Sequence, residues 1–148
     1  MTGIDTCFLI DLYWEDSPRH AAAVALFKQL ADSSSEELAI YYNCFNEFVH
    51  VITDARRFEN PLSMSEALSV VDEWCELERV HILYPDDDSF TRAVTSLTMY
   101  KLGRNRINDT QMASCYIRNA VFSLVTANPK DFAMFGMFAL IDYRSYSV

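Results

Sequence analysis

Short apolar runs that alternate with helix-patterned segments restrict this chain to an α/β architecture. The runs are Gly3-Ile4-Asp5, Leu38–Tyr42, Val80–Tyr84 and Ala120–Thr126, with a last one at Phe138–Ile141. Between them, apolar residues recur three and four apart, the period of a helix that buries one face. Strands separated by helices line up as a mostly parallel sheet, and such a sheet needs helical cover. At 148 residues the chain suffices for one domain, 1–148, with a proper core. No internal repeat, linker or low-complexity stretch interrupts it.

Local signals place the helices. Thr6 is a cap candidate for a mostly buried helix over Thr6–Trp14. Ser17-Pro18 predicts a restart, with Ser17 as N-cap and Pro18 at the first helical position, leading into Ala21–Leu30. A loop follows at Asp32–Ser35. Asn43 reads as the cap of a helix from Cys44 to about Phe58, with Glu47 in its first turns. Ser63 with Glu66 forms a capping box for a helix to about Leu77. Asp86-Asp87-Asp88 leads a helix to Leu102, closed by Gly103. Asn108 is the N-cap candidate of the next helix, and Lys130–Phe135 reads as a helical turn.

Composition removes several classes of function. Half the residues are hydrophobic (51%), so the chain folds. No apolar run approaches the roughly 20 residues of a spanning helix, so no membrane role is expected. Asp5 interrupts an N-terminus without a basic stretch, so no signal peptide is visible. Cys7, Cys44, Cys75 and Cys115 lack metal or redox spacing and read as free thiols of a reducing cytoplasm. The net charge of -9 argues against nonspecific nucleic-acid binding over the whole surface. A local basic site survives that argument. Lys101, Arg104, Arg106 and Arg118 bracket Asp109, with no other acid between Lys101 and Lys130.

In parallel sheets, ligands bind outside the carboxyl ends of the strands. Asp5 ends the first strand, Glu47 follows the second, and Asn128 and Asp131 follow the fourth. Asp109 opens the helix that feeds the fourth strand, which in principle sets it on the opposite edge. The extra helix pair between the third and fourth strands is what can bring it back. Each acid has a plainer reading too, because first-turn acids commonly answer the helix dipole. That reading is weakest for Asp5, since a charge ending a buried strand needs a partner. Two carboxylates about 5 Å apart repel by roughly 3 kcal/mol at an effective dielectric near 20. Hard divalent cations, which take oxygen ligands, remove that cost.

Four segments together carry a family resemblance: Gly3-Ile4-Asp5-Thr6, Asn46-Glu47-Phe48, Ile107-Asn108-Asp109 with Met112-Ala113-Ser114, and Leu124–Phe132. In this order and spacing the chain resembles the PIN domain, and more narrowly the VapC-type toxin ribonucleases of toxin–antitoxin pairs. The resemblance implies a three-layer α/β/α fold with a mostly parallel sheet of four to five strands. It also implies a cytoplasmic endoribonuclease, dependent on one or two Mg²⁺ or Mn²⁺ ions, that leaves a 5′-phosphate and a 3′-hydroxyl. Expected partners are an RNA substrate, a small antitoxin that reaches into the acidic pocket, and a second copy of the chain. By motif, Asp5, Glu47 and Asp109 match the first three acids, and Asp131 or Asn128 the fourth position. Thr6 and Thr126 match hydroxyl positions that line the site, with Asn108 and Asn128 beside them. Arg104, Arg106, Arg118 and Lys130 are candidates for holding substrate phosphates. Gln111 and Ser114 stand where small apolar residues are usual, and Pro129 is an uncommon residue in the fourth segment. A dehalogenase-type phosphatase wants an acid where Cys7 stands. The stronger alternative is a degenerate PIN domain that binds RNA or protein without cutting.

Overall fold

The structure, a computed structural model, describes residues 1–33 and 35–146. Ser34, in the expected loop after Asp32, lies outside the described residues. Strands β1 (Thr2–Ile4), β2 (Leu38–Tyr41), β3 (Val80–Leu83), β4 (Ser123–Thr126) and β5 (Ala139–Asp142) form one sheet in the order β3-β2-β1-β4-β5. Every neighbouring pair is parallel. The sheet is flanked by helices α1 (Thr6–Tyr13), α2 (His20–Asp32), α3 (Tyr42–Ile52), α4 (Met64–Glu76), α5 (Asp87–Met99), α6 (Ile107–Arg118) and α7 (Pro129–Ala133). The expected α/β layering is thus observed. β1 runs down the middle, with Ile4 in register with Ile40 on one side and Val125 on the other. These residues, buried completely, form the centre of the core.

Two buried polar devices fix the helices against the sheet. A Cβ at Gly3 would stand 2.9 Å from the ring of Tyr116, so only glycine lets α6 lie this close to β1. The fully buried Tyr116 hydroxyl donates to the Ile4 carbonyl at 2.6 Å and accepts from the Tyr41 N–H at 3.1 Å. It thereby satisfies backbone groups at the carboxyl ends of β1 and β2. The second device is Asp11, also fully buried. Its carboxylate accepts from Ser17 Oγ at 2.7 Å, from Arg19 Nε at 2.6 Å and from the Tyr143 hydroxyl. It ties α1 to the approach to α2 and to the C-terminal turn Tyr143–Ser145.

Several boundaries differ from those expected, each for a local reason. α2 begins at His20 instead of Pro18, because the Ser17 hydroxyl is drawn inward to Asp11. Asp5, not Thr6, is the cap residue of α1. α3 starts at Tyr42 without a side-chain cap from Asn43, and it stops at Ile52, well short of Phe58. The Asp54 side chain accepts the Arg56 N–H at 2.9 Å, a turn that competes with helix continuation. α5 ends at Met99 rather than Leu102. Lys101, at φ 51°, takes the left-handed position assigned to Gly103, with Leu102 N–H bonded to the Leu97 carbonyl. α6 ends the same way through Ala120, at φ 57°. A 3-10 turn, Arg104–Arg106, winds the chain into α6, so Asn108 lies inside the helix and does not cap it. Ser63 and Glu66 do form the expected capping box of α4.

Candidate active site

The parallel sheet brings the carboxyl ends of its five strands to one edge, and three of the acidic residues meet there. Asp5 directly follows β1, Thr126 ends β4, and Glu47 projects from the second turn of α3 after β2. Tyr116 and Gly3 dock α6 on the sheet, and that docking sets its first turn, with Asp109, at the same edge. Asp5, Glu47 and Asp109 line one cavity, with Thr6, Asn108 and Met112. It measures about 10 Å³, room for one water-sized particle. Asp109 therefore lies at the same edge as Asp5, not the opposite one.

The side chains are held by specific bonds. Asp5 is buried, and its Oδ2 accepts from the Thr126 hydroxyl at 2.6 Å and the Cys7 thiol at 3.0 Å. The Ala127 N–H donates to Cys7 Sγ at 3.3 Å, and the Asn128 N–H to Thr126 Oγ1 at 2.9 Å. Thr6 Oγ1 donates to Glu47 Oε2 at 2.9 Å. Thr6 and Thr126 therefore each orient one carboxylate. Asn128 contributes its backbone, while its side chain is exposed. Cys7 was not singled out by its sequence pattern. Its only signal is its position in the first turn after Asp5.

Two of the acids, Asp5 and Asp109, have raised pKa values. Burial raises the Asp5 pKa, against the lowering effect of Thr126 and Cys7. Burial also raises that of Asp109, to about 6, and the negative charge of Asp5 adds to the rise. Arg106 works in the opposite direction, and Asp131 and Glu47 add smaller upward contributions. Asp5 holds its proton more tightly through burial alone, and Asp109 through burial first and its carboxylate neighbours second.

The basic candidates divide. Arg106 does not reach out as a phosphate ligand. Its Nη1 bonds Asp131 Oδ1 at 2.7 Å, its Nη2 donates to the Asp131 carbonyl, and its Nε lies 3.5 Å from Asp109 Oδ2. Asp131 is accordingly engaged with Arg106 and is not among the residues that line the cavity. Arg118 is also displaced from its expected role. It lies nine residues beyond Asp109, about 13 Å along the helix, and pairs with Asp86 at 3.0 Å and Asp88 at 3.3 Å. Arg104 and Lys130 are exposed and enter no ion pair among the described residues. Asp86, meanwhile, caps α5 through Ser89, so the acidic triplet serves a helix start.

The charged donors on the cavity are carboxylate oxygens, the hard donor set that Mg²⁺ or Mn²⁺ accepts. By donor chemistry the site suits such an ion. Among the described residues, no three acidic, His or Cys side chains yet close on a single point. The cavity is lined by carboxylates that are not drawn together on one point.

Comparison with known proteins follows the same outline. The sequence model of the PIN domain matches residues 4–133. No curated protein matches the chain. Among solved structures, the fold is similar to VapC20 of Mycobacterium tuberculosis, described as a Sarcin-Ricin loop cleaving toxin. That likeness has a TM-score of 0.71 at 14% identity, over 96% of this chain and 98% of the other. VapBC-1 from nontypeable Haemophilus influenzae is similar at TM-score 0.66 and 16% identity, over 96% and 97%. A toxin–antitoxin complex from Klebsiella pneumoniae is similar at 0.64 and 20%, over the whole of both chains. At these identities the likenesses establish the fold.

Proposed function

The chain belongs to the PIN-domain family, and from that premise we propose that it is a metal-dependent endoribonuclease, the toxin of a type II toxin–antitoxin pair. The observation that carries the proposal is the meeting of Asp5, Glu47 and Asp109, from three distant parts of the sequence, on one cavity at the carboxyl edge of the sheet. Structural carboxylates do not need one another, and their repulsion has to be offset by something they share.

In this reading Asp5, Glu47 and Asp109 hold Mg²⁺ or Mn²⁺. A bound ion of this kind supplies a water of lowered pKa and polarisation of the scissile phosphate. The protein supplies position. Thr126 and Cys7 occupy Asp5 Oδ2, which leaves Oδ1 for the cavity. Thr6 does the same for Glu47 by occupying Oε2. Asn108 adds a neutral polar group to the cavity wall, and the exposed Arg104 and Lys130 hold flanking phosphates of the RNA. Cleavage leaves a 5′-phosphate and a 3′-hydroxyl.

The partners proposed are RNA, a cognate small antitoxin and a second copy of the chain, in the cytoplasm. One of the similar structures is a toxin–antitoxin complex by description, which supports an antitoxin here. No helix among the described residues is long and apolar enough to cross a membrane. A second reading, a PIN domain that binds RNA or protein without cutting, draws on the carboxylates' failure to close on one point.

An RNase assay separates the two. Wild type is expected to cut RNA with Mn²⁺ and to stop in EDTA, while Asp5→Asn and Asp109→Asn are inactive. Equal cleavage by all three proteins would assign the activity to a contaminant. Expression alone is expected to arrest growth, and co-expression of the antitoxin to relieve it. Harmless overexpression would count against the toxin role.

A further inference from the structure

Arg106 sits between two of the site's four acids and is spent on both. Nη1 and Nη2 take the Asp131 side chain and carbonyl, and Nε faces Asp109 at 3.5 Å without a hydrogen-bond partner, although it is buried. A guanidinium in this position is a cation of fixed geometry that never loses its proton. We propose that Arg106 takes the place of a second metal ion, so that the chain holds one divalent cation among Asp5, Glu47 and Asp109, with Asp131 neutralised from within. The inference rests on the nuclease reading above and specifies its metal content.

Charge counting supports it. The four carboxylates, Asp5, Glu47, Asp109 and Asp131, carry four negative charges when ionised. One dication and Arg106 bring three positive charges, which leaves the substrate's own phosphate to be met by Arg104 and Lys130. A second dication would bring the total to five and would stand against the guanidinium that already covers Asp131. Asp131 is also absent from the cavity wall, and its Oδ1 is occupied by Arg106. Arg106 is then a positioning residue: it holds Asp131 away from the ion and pairs with Asp109 Oδ2.

The test counts ions and needs no RNA. Protein stripped with EDTA and dialysed is titrated with Mn²⁺, and the free ion is read by its electron paramagnetic resonance signal. Wild type is expected to bind one Mn²⁺ per chain. Arg106→Gln removes the charge, releases Asp131 and is expected to bind two, and Arg106→Gln/Asp131→Asn returns to one. Arg106→Lys, which keeps a charge, stays at one. Asp131→Asn alone is expected to leave wild-type affinity unchanged, whereas loss of a true ligand or its close support costs ~10-fold or more. Circular dichroism checks that each variant folds. Should Arg106→Gln not fold, wild type and Asp131→Asn still decide. Two ions on wild type, or a tenfold loss in Asp131→Asn, would overturn the inference and leave the nuclease reading intact. No Mn²⁺ on wild type would overturn both.

Discussion

Replacing Asp109 by asparagine should stabilise the metal-free protein while abolishing metal binding. The folded pKa of Asp109 is pushed from 3.8 to about 6, by burial first and by Asp5 second. At about 1.4 kcal/mol per unit, ionising it in the fold at neutral pH costs roughly 3 kcal/mol. About a third of the side chain is exposed (34%), so solvent screening reduces this to about 1–2 kcal/mol. The rise to about 6 already includes the opposing effect of Arg106, 3.5 Å away, so the lost ion pair is not subtracted again. A net gain of about 1–2 kcal/mol remains, which for a domain of this size raises Tm by about 3–6 °C.

The sign follows from proton counting. Because the folded pKa lies above the unfolded one, the native state binds more protons between about pH 4 and pH 6. Wild-type stability therefore falls as pH rises through that window. Asparagine does not titrate, so the variant's advantage is absent at pH 4 and complete above pH 7. Thermal unfolding in EDTA at pH 4, 5, 6 and 7.5 measures it. Adding Mn²⁺ should reverse the order at pH 7.5, since an ion at 100 times its Kd stabilises wild type by about 2.7 kcal/mol and the variant hardly at all. A variant less stable than wild type by the same amount at every pH would refute the reasoning, because it would show Asp109 to be a structural acid with its charge fully answered.

Three further outcomes are expected. Thr126→Val removes the 2.6 Å donor to Asp5 while keeping the side-chain shape, and should weaken Mn²⁺ binding ~10-fold; Thr126→Ser should restore it in the same titration. Because Asp109 must lose its proton to bind an ion, with Asp5, Glu47, Asp131 and Arg106 as its charged neighbours, Mn²⁺ affinity should fall about tenfold per pH unit below 6 and level off above 7 in calorimetric titrations. Tyr116→Phe leaves the buried Tyr41 N–H without its acceptor and should cost about 1–3 kcal/mol in urea unfolding, with the slope unchanged.

The sheet and the order of its elements could be read from sequence because each depends on local pattern. Ile4, Ile40 and Val125 sit in apolar runs, with Asp5 immediately beyond the first and Glu47 in the helix that follows the second. What stayed hidden depends on distance in the chain. Arg106 reads as a basic residue beside an acid, and its capture by Asp131 requires α6 and α7 to meet. Arg118 shares the same stretch of sequence, yet the length of α6 carries it to Asp86. The Schellman endings at Lys101 and Ala120 use residues that no composition rule selects for a left-handed conformation, while Gly103, the obvious candidate, is not used. Cys7 supports Asp5 only because β4 delivers Thr126 and Ala127 beside it.

The same accounting fixes how this acidic protein should hold RNA. The net charge is -9, and two of the four basic candidates, Arg106 and Arg118, are consumed by internal acids. Arg104 and Lys130 remain exposed. If these two make the phosphate contacts, the logarithm of RNA affinity should fall with the logarithm of salt with a slope of only about 1.4 for a single strand, at about 0.7 per contact. Binding of a short RNA to the non-cutting Asp109→Asn variant, measured by fluorescence anisotropy across a salt series, gives the slope. Arg104→Ala should lower it by about half, and Arg118→Ala should leave it unchanged. A slope of about 4 or more would require about six phosphate contacts, and would overturn the assignment of the RNA contacts to Arg104 and Lys130 alone.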